Sequence, residues 1–138
     1  MLEKLSRHEP QARAVLRIVT SLLLIEHGTQ KFFNFPPSQM EMDLGGLMLL
    51  AAILETFGGL LVLIGLFSRP VAFILSGFMA VAYFMAHSSP FFSPMLSGGE
   101  AAYLFAFLFL YLAAAGPGPW SVDAARSSAG TVAPPDYR

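Results

Sequence analysis

The 138-residue sequence contains no cysteine and few charged residues. Without cysteine the chain cannot form a disulfide, a thiolate metal site or a thiol redox centre. Charged residues make up 12% of the chain, about half of the roughly 25% that is typical of soluble domains. The formal net charge is −1, which gives no reason to expect nucleic-acid binding, since that binding needs a basic stripe. The composition therefore indicates a chain that is solvated mainly by lipid and does not bind nucleic acid.

Several sequence motifs of soluble enzymes are also missing. The sequence has no phosphate-binding glycine loop, no nucleophile elbow, no dinucleotide fingerprint and no His-Glu-x-x-His metal motif. These absences leave no support for a complete soluble enzyme within this chain. We predict no metal site.

Long apolar runs are what the sequence does contain, since 55% of its residues are hydrophobic. A membrane-spanning helix needs about 20 mostly apolar residues, and four segments approach that length, at about 14–35, 44–67, 70–88 and 100–116. The runs are continuous rather than alternating, which favours helices over strands. Because the connections are short, we predict an all-α integral membrane four-helix bundle with antiparallel up-and-down topology.

The distribution of lysine and arginine predicts how this bundle is oriented. Basic residues lie in the N-terminal segment 1–13, in the loop between the second and third helices, and in the tail 117–138. The other two loops contain none. By the positive-inside rule both termini are then cytoplasmic, and loops 36–43 and 88–99 face outward. The tail is rich in Ser, Ala and Pro, so we expect it to be partly disordered.

Ionisable residues inside the predicted helices form a candidate polar cluster. Insertion of such a residue at the bilayer centre costs on the order of 2.5–3.5 kcal/mol, so these residues usually face the bundle interior. At a rise of 1.5 Å per residue, a middle layer lies near the bilayer midplane and an outer layer lies roughly 10–12 Å outward. The middle layer contains Glu26, His27 and Glu55, and the outer layer contains Lys31, His87 and Glu100.

Structural explanations for the same residues stay open at this point. Glu55 lies among small residues and could be a protonated carboxyl that bonds across a helix contact. The outer layer could be a clamp that closes the outer end of the bundle. Arg17 reads as a topology anchor whose long side chain reaches water at the cytoplasmic end. The adjacent Gly58 and Gly59 indicate close helix packing.

Five short motifs occur in the order seen in one known family, and the sequence resembles the DoxX family of small membrane proteins. The first three motifs are His27-Gly28-Thr29-Gln30-Lys31-Phe32, Glu55-Thr56-Phe57-Gly58-Gly59 with Gly65-Leu66-Phe67-Ser68-Arg69 after it, and the lone His87. The last two are Gly98-Gly99-Glu100 and Gly116-Pro117-Gly118 leading to Ser121-Val122-Asp123. The resemblance extends from about Arg17 to Asp123.

The resemblance implies a multi-pass four-helix protein of the bacterial inner membrane with a loose link to redox metabolism. Some members of the family are described as subunits of a thiosulfate:quinone oxidoreductase, and others as partners of oxidative-stress and sulfur-transfer proteins. We therefore expect a small subunit or organiser of a redox system, with a quinone as the candidate cofactor. Any catalytic role would then be that of an oxidoreductase subunit. The alternative is a proton-coupled transporter or a membrane scaffold. Either function predicts contact with the lipid bilayer and with a partner protein or a second copy of the chain.

Overall fold

A computed structural model describes residues 1–39, 43–87 and 93–130, and within these ranges the chain is entirely helical with no strand. The prediction of an all-α protein is therefore confirmed for the described residues. The predicted end of the third helix at residue 88, parts of the two predicted outward loops, and the end of the tail lie outside these ranges.

A short helix α1, Leu2–Ser6, precedes the long helix α2, Glu9–Phe33. The sequence predicted a helix over 14–35, so α2 begins five residues earlier and ends two residues earlier. Glu9 and Pro10 lie in its first turn, where a carboxylate and a proline both favour helix initiation. Asn34 ends the helix in a left-handed conformation with φ of 51°, and its N–H donates to the Gln30 carbonyl.

The second predicted helix, 44–67, is a helical segment over Leu47–Ile64 with a change of geometry in its middle. It consists of α3, Leu47–Ile53, a π-helical turn, Leu54–Gly58, and α4, Gly59–Ile64. Short π-helical turns within α-helices occur frequently at functional sites. This turn contains Glu55, the residue that the sequence placed nearest to the bilayer midplane.

The remaining helices are α5, Ser68–Ala86, α6, Pro94–Ser97, α7, Glu100–Ala115, and α8, Val122–Ala129. By length and composition, segment Leu47–Ile64 and helix α5 could each cross a membrane. Helix α7 is apolar but shorter, at 16 residues.

Two helix pairs form most of the tertiary structure. Helix α2 packs along α3, the π-helical turn and α4, and α5 packs along α7. A hydrophobic core joins these pairs through residues that are almost fully buried, namely Leu24, Val62, Ala72, Leu75, Met79, Phe105, Phe109 and Leu112.

Glycine makes the contact between α2 and its neighbour possible. A Cβ at Gly28 would lie 2.7 Å from the Thr56 backbone nitrogen, and one at Gly59 would lie 2.8 Å from Ile25 Cγ1. A Cβ at Gly58 would meet the Leu75 side chain at 2.9 Å. The prediction that Gly58 and Gly59 serve close packing is confirmed.

The first part of the tail is helical. Helix α8 begins after Ser121, whose Oγ accepts a hydrogen bond from the Ala124 N–H at 3.2 Å. A serine in this position satisfies a backbone donor that the first helical turn leaves free. This N-cap and the contacts of Asp123 described below hold the segment in a helix.

Candidate functional site

Lys31 and Glu55 form a buried ion pair between α2 and the π-helical turn. The Lys31 Nζ donates to Glu55 Oε2 at 2.6 Å, and the two side chains are 16% and 8% exposed. The same Nζ lies 3.5 Å from the His27 carbonyl oxygen. Side chains on a helix lean toward its N-terminus, so Lys31 reaches back along α2 to the level of Glu55. The predicted middle and outer layers are therefore joined by this pair.

A cavity of about 480 Å³ lies beside the ion pair. Its polar lining consists of His27, Lys31, Glu55 and His87. The rest of the described lining is apolar or glycine and comes from α2, α3, α5 and the start of α7, with Leu24, Met48, Phe78, Met79, Ala102 and Phe105 among its members. Binding sites for small molecules commonly have this character, with apolar walls and a few convergent polar groups.

Exposed apolar side chains border the cavity on one side. Four of its lining residues are large hydrophobics with exposed side chains: Leu47 at 64%, Leu50 at 48%, Val81 at 55% and Met85 at 65%. These residues belong to α3 and to the C-terminal half of α5, so the opening lies between these two helices. A surface this apolar is suited to contact with lipid tails.

His87 closes the cavity at the C-terminal end of α5. Its Nδ1 lies 3.2 Å from the Ser97 carbonyl oxygen. Because a carbonyl only accepts, Nδ1 must carry the proton, and Nε2 of the neutral ring is then an acceptor. Gly99, just before α7, packs closely against α5 because it has no side chain. A Cβ at Gly99 would lie 2.9 Å from both His87 Cγ and Tyr83 Cδ2.

His27 contributes a second imidazole on the opposite helix. Its ring meets the edge of the Phe105 ring at 88°, with 5.7 Å between centroids. The structure thus brings four of the six predicted site residues around one cavity. Glu26 and Glu100 are exposed and do not line it. Among the described residues, no three His, Asp or Glu side chains are grouped so that they could hold a metal ion.

Three arginines organise the other end of the helices. Arg17 is fully buried, and its guanidinium donates to the Pro117 carbonyl at 3.0 Å and the Trp120 carbonyl at 2.7 Å. Arg13 donates to the Ala115 carbonyl, and Arg69 donates to carbonyls at the end of α7. The prediction that Arg17 reaches water was wrong, because the chain beyond α7 folds over it and supplies carbonyl acceptors.

Asp123 connects α8 to the start of α5. Its carboxylate accepts from the Phe67 N–H at 3.0 Å and from the Ser68 N–H at 2.8 Å. Burial alone would raise the pKa of Asp123, but these hydrogen bonds, the Ser68 hydroxyl and the nearby Arg126 together lower it below its ordinary value. Sequence reasoning did not assign this role, although the N-terminus of a helix is a favourable place for a carboxylate.

Together the apolar helices and the buried ion pair beside a laterally open cavity define an α-helical membrane protein with an internal polar site. The DoxX family profile matches residues 12–88. An uncharacterized protein of Haemophilus influenzae is 39% identical over 115 residues, which cover 76% of this chain and 83% of that relative. No solved structure matches the chain significantly. The chain belongs to the DoxX family, as its motifs predicted.

Proposed function

We propose that this protein is a quinone-binding subunit of a redox system and that it spans the bacterial inner membrane with four helices, both termini being cytoplasmic. The observation that carries the proposal is the Lys31–Glu55 pair at the wall of a cavity that opens through apolar residues. A quinone combines a polar ring with an apolar tail, so it matches both parts of this site.

The size and shape of the cavity support a ligand of this class. Its volume of about 480 Å³ falls within the roughly 300–1,000 Å³ that small-molecule sites occupy. The side opening lies among residues with large exposed apolar surfaces. An amphiphile dissolved in the bilayer would therefore enter without leaving lipid.

The polar groups offer hydrogen bonds of both kinds to such a ring. Lys31 is a donor with three N–H groups, of which one donates to the Glu55 carboxylate at 2.6 Å and another to the His27 carbonyl at 3.5 Å, so a third is left for a ligand. In the neutral His87 ring, the contact of Nδ1 with the Ser97 carbonyl leaves Nε2 as an acceptor. When bound, a quinone would supply reversible two-electron chemistry that the side chains of this chain lack. The chain would position the ring and exclude water.

Binding of a short-tailed ubiquinone analogue to the purified protein in nanodiscs tests this function. We expect saturable binding to the wild type and at least tenfold weaker binding to Glu55→Gln, because the Lys31 ammonium that donates to the ring is no longer held at the cavity wall by the carboxylate. Loss of one charge-assisted hydrogen bond costs about 1.5–3 kcal/mol, and 1.4 kcal/mol is tenfold. Glu26→Gln is the matched control, since Glu26 is exposed and lies outside the cavity. Absence of saturable binding to the wild type, or equal binding to both variants, would contradict the proposal.

A further inference from the structure

A second cavity, of about 720 Å³, lies at the opposite end of α5 from His87. Its lining includes Phe67, Arg69, Pro70, Asp123 and Arg126. We propose that this cavity binds the phosphate group of an anionic phospholipid. The site is separate from the quinone cavity, because the two share no lining residue.

The two arginines present free donors to this cavity. Arg69 uses Nη1 for the carbonyls of Ala113 and Ala114, and within the described residues its Nε and Nη2 make no hydrogen bond. The Arg126 guanidinium lies over the Phe67 ring, 5.6 Å from its centroid, and forms no ion pair with any described residue. Both side chains are exposed. Arginine presents a planar fork of donors that matches the oxygens of a phosphate group.

The charge of the cavity suits a phosphodiester. Asp123 is the acidic residue of the described lining, and both of its carboxylate oxygens already accept backbone N–H groups at the start of α5. Two arginines and one aspartate give the lining a formal charge of +1. A phosphodiester such as that of phosphatidylglycerol carries a charge of about −1, whereas a phosphomonoester is closer to −2 at neutral pH.

The surroundings of the cavity favour a lipid over a soluble anion. The cavity lies at the first turn of α5, a helix apolar enough to cross a membrane, so its level is that of a lipid headgroup. Phe67 lines the cavity and is 54% exposed, so it offers an apolar surface to an acyl chain. Trp120, 64% exposed, is of the residue type enriched at the membrane interface. Basic pockets at this level are recognised sites for anionic headgroups.

Native mass spectrometry of the full chain tests the proposal. The protein is released from nanodiscs that contain phosphatidylcholine and phosphatidylglycerol, and the lipids that stay bound to it are identified. We expect the wild type to retain phosphatidylglycerol in preference to phosphatidylcholine. Arg126→Gln should reduce this retention about fivefold, which is the effect expected for one basic residue near the surface. The control is Arg7→Gln, which removes the same charge from an exposed position outside the cavity.

A second variant and a competitor separate the remaining explanations. Arg69→Gln should reduce retention as well, and its thermal unfolding is measured because it also loses the α7 carbonyl contacts. Equal retention of the two lipids by the wild type, or equal losses for Arg126→Gln and Arg7→Gln, would overturn the proposal. Displacement of phosphatidylglycerol by inorganic phosphate would also overturn it, since the site would then belong to a soluble anion.

Discussion

Lys31 and Glu55 lie 24 positions apart in the sequence, yet their side chains meet at 2.6 Å in the interior of the protein. The contact joins the last turn of α2 to a π-helical turn in the neighbouring segment. A buried ion pair stabilises a fold weakly, because the attraction is offset by the loss of hydration, whereas removal of one partner leaves an uncompensated charge. A variant that replaces both partners should therefore keep the fold, so any loss of ligand binding by it reports on the function of the pair.

Substitution of one partner should destabilise the protein more than substitution of both. We expect Glu55→Leu to lower the free energy of unfolding by about 3–5 kcal/mol, because the Lys31 ammonium is left buried and unpaired. The double variant Lys31→Met/Glu55→Leu should recover most of this loss. Unfolding in a mild detergent measures both effects, with Glu26→Gln as the exposed control. A double variant as unstable as Glu55→Leu would show that the pair itself is needed for folding.

Gly28 should be intolerant of even a methyl group. A Cβ there would lie 2.7 Å from the backbone nitrogen of Thr56, so α2 and its neighbour would have to move apart. We expect Gly28→Ala to destabilise by about 1–3 kcal/mol, the usual effect of overpacking. Gly77→Ala is the matched control, because nothing lies within 4 Å of its added Cβ, and it should be neutral or stabilising by up to about 1 kcal/mol. Similar effects of the two variants would contradict the contact.

Asp123 should make part of the stability depend on pH in the acid range. Its pKa is lower in the folded protein than in the unfolded chain, so its contribution is complete above the unfolded value of about 3.9. That contribution is lost as the pH falls through the folded pKa. We expect Asp123→Asn to destabilise the protein at neutral pH, with the difference from the wild type beginning to shrink below about pH 4 and vanishing below the folded pKa. Thermal unfolding at a series of pH values measures it, and a constant difference down to acid pH would contradict the role.

His87 should favour the reduced form of a bound quinone. Its Nδ1 contacts the Ser97 carbonyl at 3.2 Å, so Nε2 of the neutral ring is an acceptor to which the hydroxyl of a quinol can donate. We expect His87→Phe to weaken binding of the quinol analogue about tenfold, as loss of one buried hydrogen bond predicts, with a smaller effect on the oxidised analogue. Equal losses for the two forms would instead indicate that His87 only shapes the cavity.

The helices were the part that the sequence could predict, because continuous apolar runs leave few alternatives. Helix ends were less accurate: the helix predicted over 44–67 occupies Leu47–Ile64, where Gly65 adopts a left-handed conformation with φ of 71°. The existence of the π-helical turn could not be predicted, since nothing in Leu54–Gly58 specifies its hydrogen-bond pattern. Gly58 and Gly59 were predictable as packing residues because small residues have few other uses there.

The grouping of the site residues was only partly predictable. Depth along a helix was estimated from backbone positions, and this placed Lys31 and Glu55 in separate layers. Backbone positions do not show that the lysine side chain is long and leans toward the helix N-terminus, which is how Lys31 reaches Glu55. The burial of Arg17 was missed for a related reason. Its partners are carbonyls of Pro117 and Trp120, about a hundred residues away, and backbone acceptors leave no signal in a sequence.

The most direct test of the proposed function is quinone binding by the variant that lacks the ion pair but keeps the fold. Binding of a short-tailed ubiquinone analogue would be measured in nanodiscs for the wild type and for Lys31→Met/Glu55→Leu, after unfolding measurements have shown that both are folded. The proposal predicts saturable binding to the wild type and at least tenfold weaker binding to the double variant. Equal affinity of the two folded proteins, or no saturable binding to either, would contradict it.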